Sequence, residues 1–557
     1  MNVLLFLGFY LIAFLVGRGI LITFTTQDKT KGLDSNNISG ISYDTFYPII
    51  SLFFFGNFLF LINFFTSLKN IIQFTVLIIF LFVFINLKDL KIINNFKSFF
   101  IKHIIFPSVL SITTFGSWLH FDSGAYHLNY QQWLRTEKIT LGLANLNFGY
   151  GFSSILEYLQ AVLWYKDNFV FIFFINIIFY CLLFSFIYEA IYSSNNFLKT
   201  SSFLLLGYGF LDNFGYMGGA NGFFQVQAIA KPDMPFAIIF VLLSQVIIDK
   251  ILRKDYYVSD IKIFAYSSLF LIQIKLLGAY LGLLLIFYLF TYMQNSKISL
   301  IQFLNISKAP IFLSMFWIFK NFLLSGCFLF PLVSTCVKSV SWYVDGYINN
   351  YIYDTKISQR AYFFGDNLIE WFEVFINKGF NKQILVNFLI SILLIVIIRK
   401  FLFERKSNRI VSTVIFLIST IYIFTWLISS PAPRWGAHIF PFLIVSLGIG
   451  FEYRKRIFEN KIFKNLLLGV LFITVALIPR LYSYQSFFNE YKKIFVVEIP
   501  EVSYVDNLSN NGYIVDSTKN QFQQCWVNKM CLLSNKRIIE EEIYDFRIFL
   551  PDGSKKW

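Results

Sequence analysis

Asp122 and His127 stand five residues apart in FDSGAYH, where a long apolar run ends. A carboxylate at that point can take a proton from an incoming hydroxyl or hold a divalent cation. A histidine five positions on shares its pocket if the chain turns. Four further stretches put charge where an apolar chain should avoid it. In KPDMP (231–235), two prolines open a helix, Lys231 lies just outside it, and Asp233 falls in its first turn, where the helix dipole favours an anion. Lys275 interrupts QIKLLG between two short apolar runs, and Lys320 lies inside the run that leads to SGCFLFP. Arg434 projects from SSPAPRWG, a stretch stiffened by two prolines, with Trp435 beside it. A guanidinium binds phosphate through two parallel hydrogen bonds, and an amine pairs with phosphate as a point charge.

Each of these residues also has a plainer reading. Asp122 and His127 are then interface residues solvated by lipid headgroups, Asp233 is a helix cap, Lys275 snorkels, and Arg434 with Trp435 anchors a helix end. A charge at mid-membrane depth costs on the order of 3 kcal/mol, so five such stretches in one chain favour the functional reading. Together they make one carboxylate-bearing segment and several cations beside acyl chains, which is the chemistry an anionic, lipid-linked substrate requires. Zinc-ligand spacings, a phosphate-cradling GxxxxGK[ST], a GxGxxG and a GxSxG elbow are absent.

The elements that must position these residues are membrane spans. Of 557 residues, 57% are hydrophobic and only 14% charged, against about 25% charged in a soluble domain. The 72 phenylalanines accompany abundant Ile, Asn and Lys, a compositional bias, and read as lipid-facing and packing residues. The net charge of +15 would suggest nucleic acid in a soluble protein. Here the basic residues cluster in short links between apolar runs, and the positive-inside rule accounts for them. The first 24 residues lack a basic n-region and a small-residue cleavage site and read as a retained span.

Apolar runs near 2–24, 45–65, 70–87, 101–119, 168–188, 201–219, 235–252, 308–326, 383–400, 410–428, 437–452 and 463–480 each predict a span. The run 262–292 is too long for one helix across a ~30 Å core and predicts two short spans with Lys275 at the turn. The expectation is an all-α polytopic membrane protein of about 14 transmembrane helices. The basic links 88–103, 249–255, 399–409 and 452–464 face the cytoplasm. The segments 119–166, 220–234, the Lys275 turn, 327–382, 429–436 and the tail then gather on the other side. Residues 1–480 form this polytopic domain. Residues 481–557 are polar, with short strand-like runs between Asn-Gly and Asp-Gly turns, and predict a small α+β or β-rich extracytoplasmic appendage. Cys525 and Cys531 lie on it, six apart, and can close a disulfide or stay free thiols; five cysteines are too few for a disulfide scaffold.

In order, FDSGAYHLNYQQWLRTEKITLGLANLNFGYGFSS, KPDMP, IQIKLLGA, KNFLLSGCFLFP, SSPAPRWG and QCWVNKMC resemble the landmarks of a group of bacterial multi-spanning membrane proteins. That group looks like the GT-C glycosyltransferase superfamily, whose members take sugars from polyprenyl-phosphate donors. The resemblance runs from about residue 116 to the end; the first hundred residues match only as generic spans. It implies that Asp122 holds the place of the catalytic acidic residue, which activates the acceptor hydroxyl directly or through a metal. Many members carry two adjacent acidic residues, whereas Ser123 follows Asp122 here, so the cofactor is unknown and a divalent cation is not dictated by the pattern. The expected function is transfer of a sugar from a polyprenyl-phosphate donor to a lipid-linked or cell-envelope glycan in the bacterial inner membrane, with the active face extracytoplasmic. Arg434, Lys275 and Lys231 would serve phosphate, His127 and Asp233 the acceptor or a cation, and Lys320 is a further substrate-binding candidate. The rival readings are a transporter or flippase of a lipid-linked saccharide and an inactive GT-C-like scaffold. A transporter would be expected to show paired repeats, and none stands out.

Overall fold

The computed structural model describes residues 1–25, 37–87, 95–119, 121–214, 232–296, 300–343, 347–363, 365–405, 408–429, 431–453, 465, 469, 481–490, 492–501, 504–507, 512–515, 524–529, 531–532, 538–543 and 546–551. The protein is mostly helical. Among the described residues, eight helices are long and apolar enough to cross a membrane: Asn2–Thr23, Tyr43–Asn63, Leu68–Ile85, Phe96–Gly116, Val170–Tyr192, Asp233–Arg253, Leu276–Asn295 and Arg409–Ser429. A ninth would be the pair Leu368–Ile376 and Asn381–Ile397, which meet at a 95° bend.

The difference from about fourteen has identifiable sources. The run at 437–452 forms an apolar helix of Ile439–Gly450 only, short for a crossing. The runs 201–219, 262–274 and 308–326 do form helices, Asn196–Phe214, Val258–Ile274 and Lys308–Ser325, but these fall outside the long, apolar set. The run 463–480 lies almost wholly outside the described residues. The break at Lys275 is present as expected. Lys275 is extended (φ −157°, ψ 134°) and ends the Val258–Ile274 helix, a 3-10 turn Leu276–Tyr280 follows, and the helix Leu281–Ser296 resumes. Gly278 permits the fold-back, because a Cβ there would sit 2.6 Å from the Leu271 carbonyl carbon.

Val170–Tyr192 and Asp233–Arg253 are 94% buried and form the centre, whereas Leu68–Ile85, 17% buried, is peripheral. Edge-to-face rings dominate the packing, for example Phe60–Trp317 at 5.1 Å and Phe53–Phe270 at 5.5 Å. Within this apolar body Asn57 and Gln273 exchange two amide hydrogen bonds (3.1 and 2.7 Å), each satisfying the other where water is excluded.

Of the segments expected on one face, 119–166 meets 327–382 and neighbouring span ends, while residues 220–231 lie outside the described residues. Ile139 N–H donates to Asn63 O (2.9 Å), Gly142 N–H to Leu323 O (2.8 Å), and Asn145 Nδ2 to Trp342 O (3.1 Å). Residues 121–166 form a packed layer: a π-helical turn Ser123–His127, the helix Leu128–Thr136, two 3-10 turns and the helix Ile155–Ala161. The two helices are joined by Gln131 Nε2 to Gln160 Oε1 (3.0 Å) and by Arg135, which donates to Ala161 O and lies over Trp164. At the other end of the bundle, Phe403–Arg405 pairs antiparallel with Phe451–Tyr453, bringing two of the basic links together.

The C-terminal region contains a helix Leu481–Glu490, a three-stranded sheet (Tyr504–Asn507, Gly512–Val515, Cys531–Leu532) and a hairpin Ile538–Ile543/Phe546–Pro551. It docks closely on the 121–166 layer. Leu141 and Ile548 form a parallel bridge, with Leu141 N–H on Arg547 O and Phe549 N–H on Leu141 O, both 3.0 Å. Lys529 pairs with Glu137 (2.6 Å), and Trp133 meets Phe549 edge-on.

Two readings of single residues need correction. Lys102 and His103, expected in a solvated cytoplasmic link, are 1% and 0% exposed. They lie on a π-helical turn, Ile101–Ile105, and Lys102 Nζ bonds both Asp44 and Glu189 at 2.5 Å. The other concerns cysteines. Cys327 and Cys336 form a disulfide that was not anticipated. Cys525 is also disulfide-bonded, while the Cys531 side chain lies outside the described residues.

Candidate active site

Asp122 stands at the foot of the π-helical turn Ser123–His127. A π-turn brings residues four and five positions on back to the same side of the helix, so Asp122, Tyr126 and His127 share a face. Two glycines make room for this turn. A Cβ on Gly149 would sit 2.5 Å from the Tyr126 ring, and one on Gly124 would sit 2.7 Å from the Trp526 indole. Trp526 N–H donates to Gly124 O (2.8 Å), and Gln524 Nε2 donates to Phe121 O (2.9 Å), so the C-terminal segment clasps the turn from outside.

Arg434 reaches the same place from the link between Arg409–Ser429 and Ile439–Ser446. Pro431 and Pro433 lack N–H donors, and the link is organised around one carbonyl. Ala432 O accepts from Trp435 N–H, Gly436 N–H and Trp426 Nε1, at 3.0, 3.2 and 3.1 Å. Arg434 Nη1 donates to Asp122 Oδ2 at 2.5 Å. Asp233, the first residue of its helix, accepts from Lys275 Nζ, also at 2.5 Å. The two pairs are neighbours: the Trp435 ring lies 5.9 Å from both Lys275 Nζ and the Arg434 guanidinium. Burial works against the Arg434 charge, but Asp233 and Asp122 outweigh it and hold the guanidinium above its ordinary value. Tyr126 lies among the same charges. Its phenol is pushed well above its usual value by burial, with Asp122 adding to the effect and Arg434 opposing it.

Beside this group, His127 Nδ1 donates to Glu157 Oε1 (2.6 Å). Glu157 Oε2 accepts the Ser154 N–H (2.7 Å), closing a capping box on the helix Ile155–Ala161. Lys320 is fully buried in a third position. Its Nζ donates to Ser153 Oγ (2.6 Å) and lies 3.6 Å from the Trp317 ring centroid.

Asp122, Asp233, Lys275 and Arg434 therefore come together as two adjoining ion pairs, with His127 on the same turn as Asp122. Lys320 bonds Ser153 and not the paired carboxylates. Lys231 lies outside the described residues. Tyr126, Glu157 and Ser153 were not singled out from the sequence. The S-x-x-E of Ser154–Glu157 is a readable capping box, but nothing in it says that the glutamate's second oxygen would face a histidine. Among the described residues no group of three His, Cys, Asp or Glu could hold a metal ion. Among the described residues the cluster pairs two cations with two carboxylates, so an anion that takes up Arg434 or Lys275 competes with a carboxylate for it.

A family described as a domain of unknown function, DUF8201, matches residues 1–441. This chain belongs to that family. The DUF8201 match contains every residue of the two ion pairs and stops before the C-terminal segment that clasps them. No curated protein matches the chain, and no solved structure does.

Proposed function

We propose that the protein is a membrane glycosyltransferase that takes a sugar from a polyprenyl-phosphate donor and delivers it to a lipid-linked or cell-envelope glycan. The observation that carries this reading is the pair of salt bridges, Asp122–Arg434 and Asp233–Lys275, meeting at Trp435 where helices end. A lipid phosphodiester entering there exchanges with Asp122 for the Arg434 guanidinium, whose fork suits two phosphate oxygens. Arg434 and Lys275 then steady the leaving phosphate as its negative charge grows. Asp122, released from its partner, takes the proton of the acceptor hydroxyl, a role worth about 10²–10⁴-fold in rate. Donor binding and base activation are thereby the same event. The bacterial inner membrane and an extracytoplasmic active face belong to this reading. The Cys327–Cys336 disulfide supports that orientation, because it lies beyond the Lys308–Ser325 helix and disulfides persist in oxidising compartments.

The test is release of undecaprenyl phosphate from a panel of undecaprenyl-phosphate hexoses by the purified full chain. Turnover of at least one donor is expected. Asp122→Asn should lower it at least 100-fold, and Arg434→Ala should raise the donor KM at least tenfold. Absence of turnover with every donor, together with no binding of undecaprenyl phosphate, would sink the reading.

A further inference from the structure

Tyr126 and His127 each hold one polar atom that the protein leaves unused. The Tyr126 hydroxyl makes no hydrogen bond among the described residues, although Asp122, Asp233, Arg434 and Glu157 all act on it electrostatically. Its ring lies tilted at 47° to the His127 ring, with centroids 4.2 Å apart. His127 spends Nδ1 on Glu157, and among the described residues Nε2 has no partner. A carboxylate only accepts, so Nδ1 carries a proton and Nε2 is the ring nitrogen left to meet a ligand. One residue therefore offers an O–H donor and the next offers a ring nitrogen, both on the turn that carries Asp122.

We infer that Tyr126 and His127 form a hydroxyl-recognising subsite that holds the acceptor sugar, with Glu157 as the positioning residue that orients the histidine. This rests on the proposed transfer reaction and names the part of the site that receives. An acceptor hydroxyl donates to His127 Nε2 while a neighbouring sugar oxygen accepts from Tyr126, which sets the reacting oxygen beside Asp122. Gly149 belongs to the same device, because any side chain there would push the Tyr126 ring out of place.

The experiment separates the two halves of the site. Undecaprenyl phosphate binding, measured by native mass spectrometry, reports the donor half. Transfer from the undecaprenyl-phosphate hexose that the wild type uses, at graded concentrations of a hexose-terminated glycolipid, reports the acceptor half. Tyr126→Phe and His127→Gln should each raise the acceptor KM at least tenfold while undecaprenyl phosphate binding stays within twofold of wild type. Glu157→Leu should match His127→Gln, and Glu157→Gln, which can still accept from Nδ1, should recover most of the loss. An acceptor KM within twofold of wild type in both variants would overturn the subsite and leave the donor reading standing. Loss of phosphate binding in both would also overturn it, since the residues would then serve the donor half or the fold. A wild-type protein that binds no undecaprenyl phosphate overturns the donor reading and the subsite with it.

Discussion

At the scale of single residues, buried charge at two places invites comparison, apart from the Lys250–Asp260 pair and Lys320. One is the ion-paired site; the other is Lys102, held between Asp44 and Glu189, with His103 bonded to Tyr10 (3.0 Å) on the same turn. The second group ties four spans together: Tyr10, Asp44, Lys102 and Glu189 each come from a different one. Among the described residues it contains one lysine for two carboxylates, so removing the lysine leaves Glu189 without its cation and Asp44 facing His103 at 3.4 Å. Breaking a buried pair from one side typically costs about 3–5 kcal/mol. Lys102→Met should therefore lower the melting temperature in detergent clearly, whereas Lys275→Met, at a more open pair, should lower it little and act on donor binding instead. Equal melting temperatures for wild type and Lys102→Met would refute the structural role. The sequence could not separate these two lysines. Both stand in or beside apolar runs, and only the partners, which lie 42 to 87 positions away, distinguish a fastening from a binding group.

At the scale of elements, Lys102 lies on the π-helical turn Ile101–Ile105 and Asp122 caps the π-helical turn Ser123–His127, near opposite ends of the span Phe96–Gly116 and its continuation. A π-turn widens the helix by one residue and so turns adjacent side chains toward one neighbour. Apolar periodicity carries no trace of this, because it reports where a span runs and not how its turns are wound. That is why the spans, the Lys275 break and the proline-stiffened Arg434 link were legible, while Tyr126 and Glu157 were not. The glycine-rich stretch 142–151 is explained at this scale as well: Gly149 and Gly151 approach the Tyr126 and Phe330 rings, and Gly142, at φ 64°, approaches the Phe549 carbonyl. Gly149→Ala should displace Tyr126 and raise the acceptor KM severalfold, with the donor KM little changed. A crystallographic or cryo-electron microscopy view of that variant with Tyr126 unmoved would contradict the explanation.

At the scale of the whole molecule, the fold is a helical membrane body with one elaborated face. The C-terminal region was expected as a separate appendage, and its strand content was readable from its turns. Its docking was not, because the strand Phe546–Pro551 pairs with an irregular stretch around Leu141 some 400 positions earlier. Cys327–Cys336 closes a loop on the same elaborated face. If that face is exported, a membrane-impermeant thiol reagent applied to intact cells after mild reduction should label the partly exposed Cys336 and should not label the buried Cys181. Labelling only after the membrane is breached would reverse the assigned orientation.

The seam between Leu141 and Phe549 also governs timing. A ribosome finishes the Asp122 turn hundreds of residues before it makes Trp526, the side chain packed against Gly124. Until the tail has been synthesised and has reached the same side as that turn, the turn lacks its outer wall. Prematurely terminated chains would insert their spans yet present an unfinished face, and the outer wall of the Asp122 turn is complete only once Trp526 has been made.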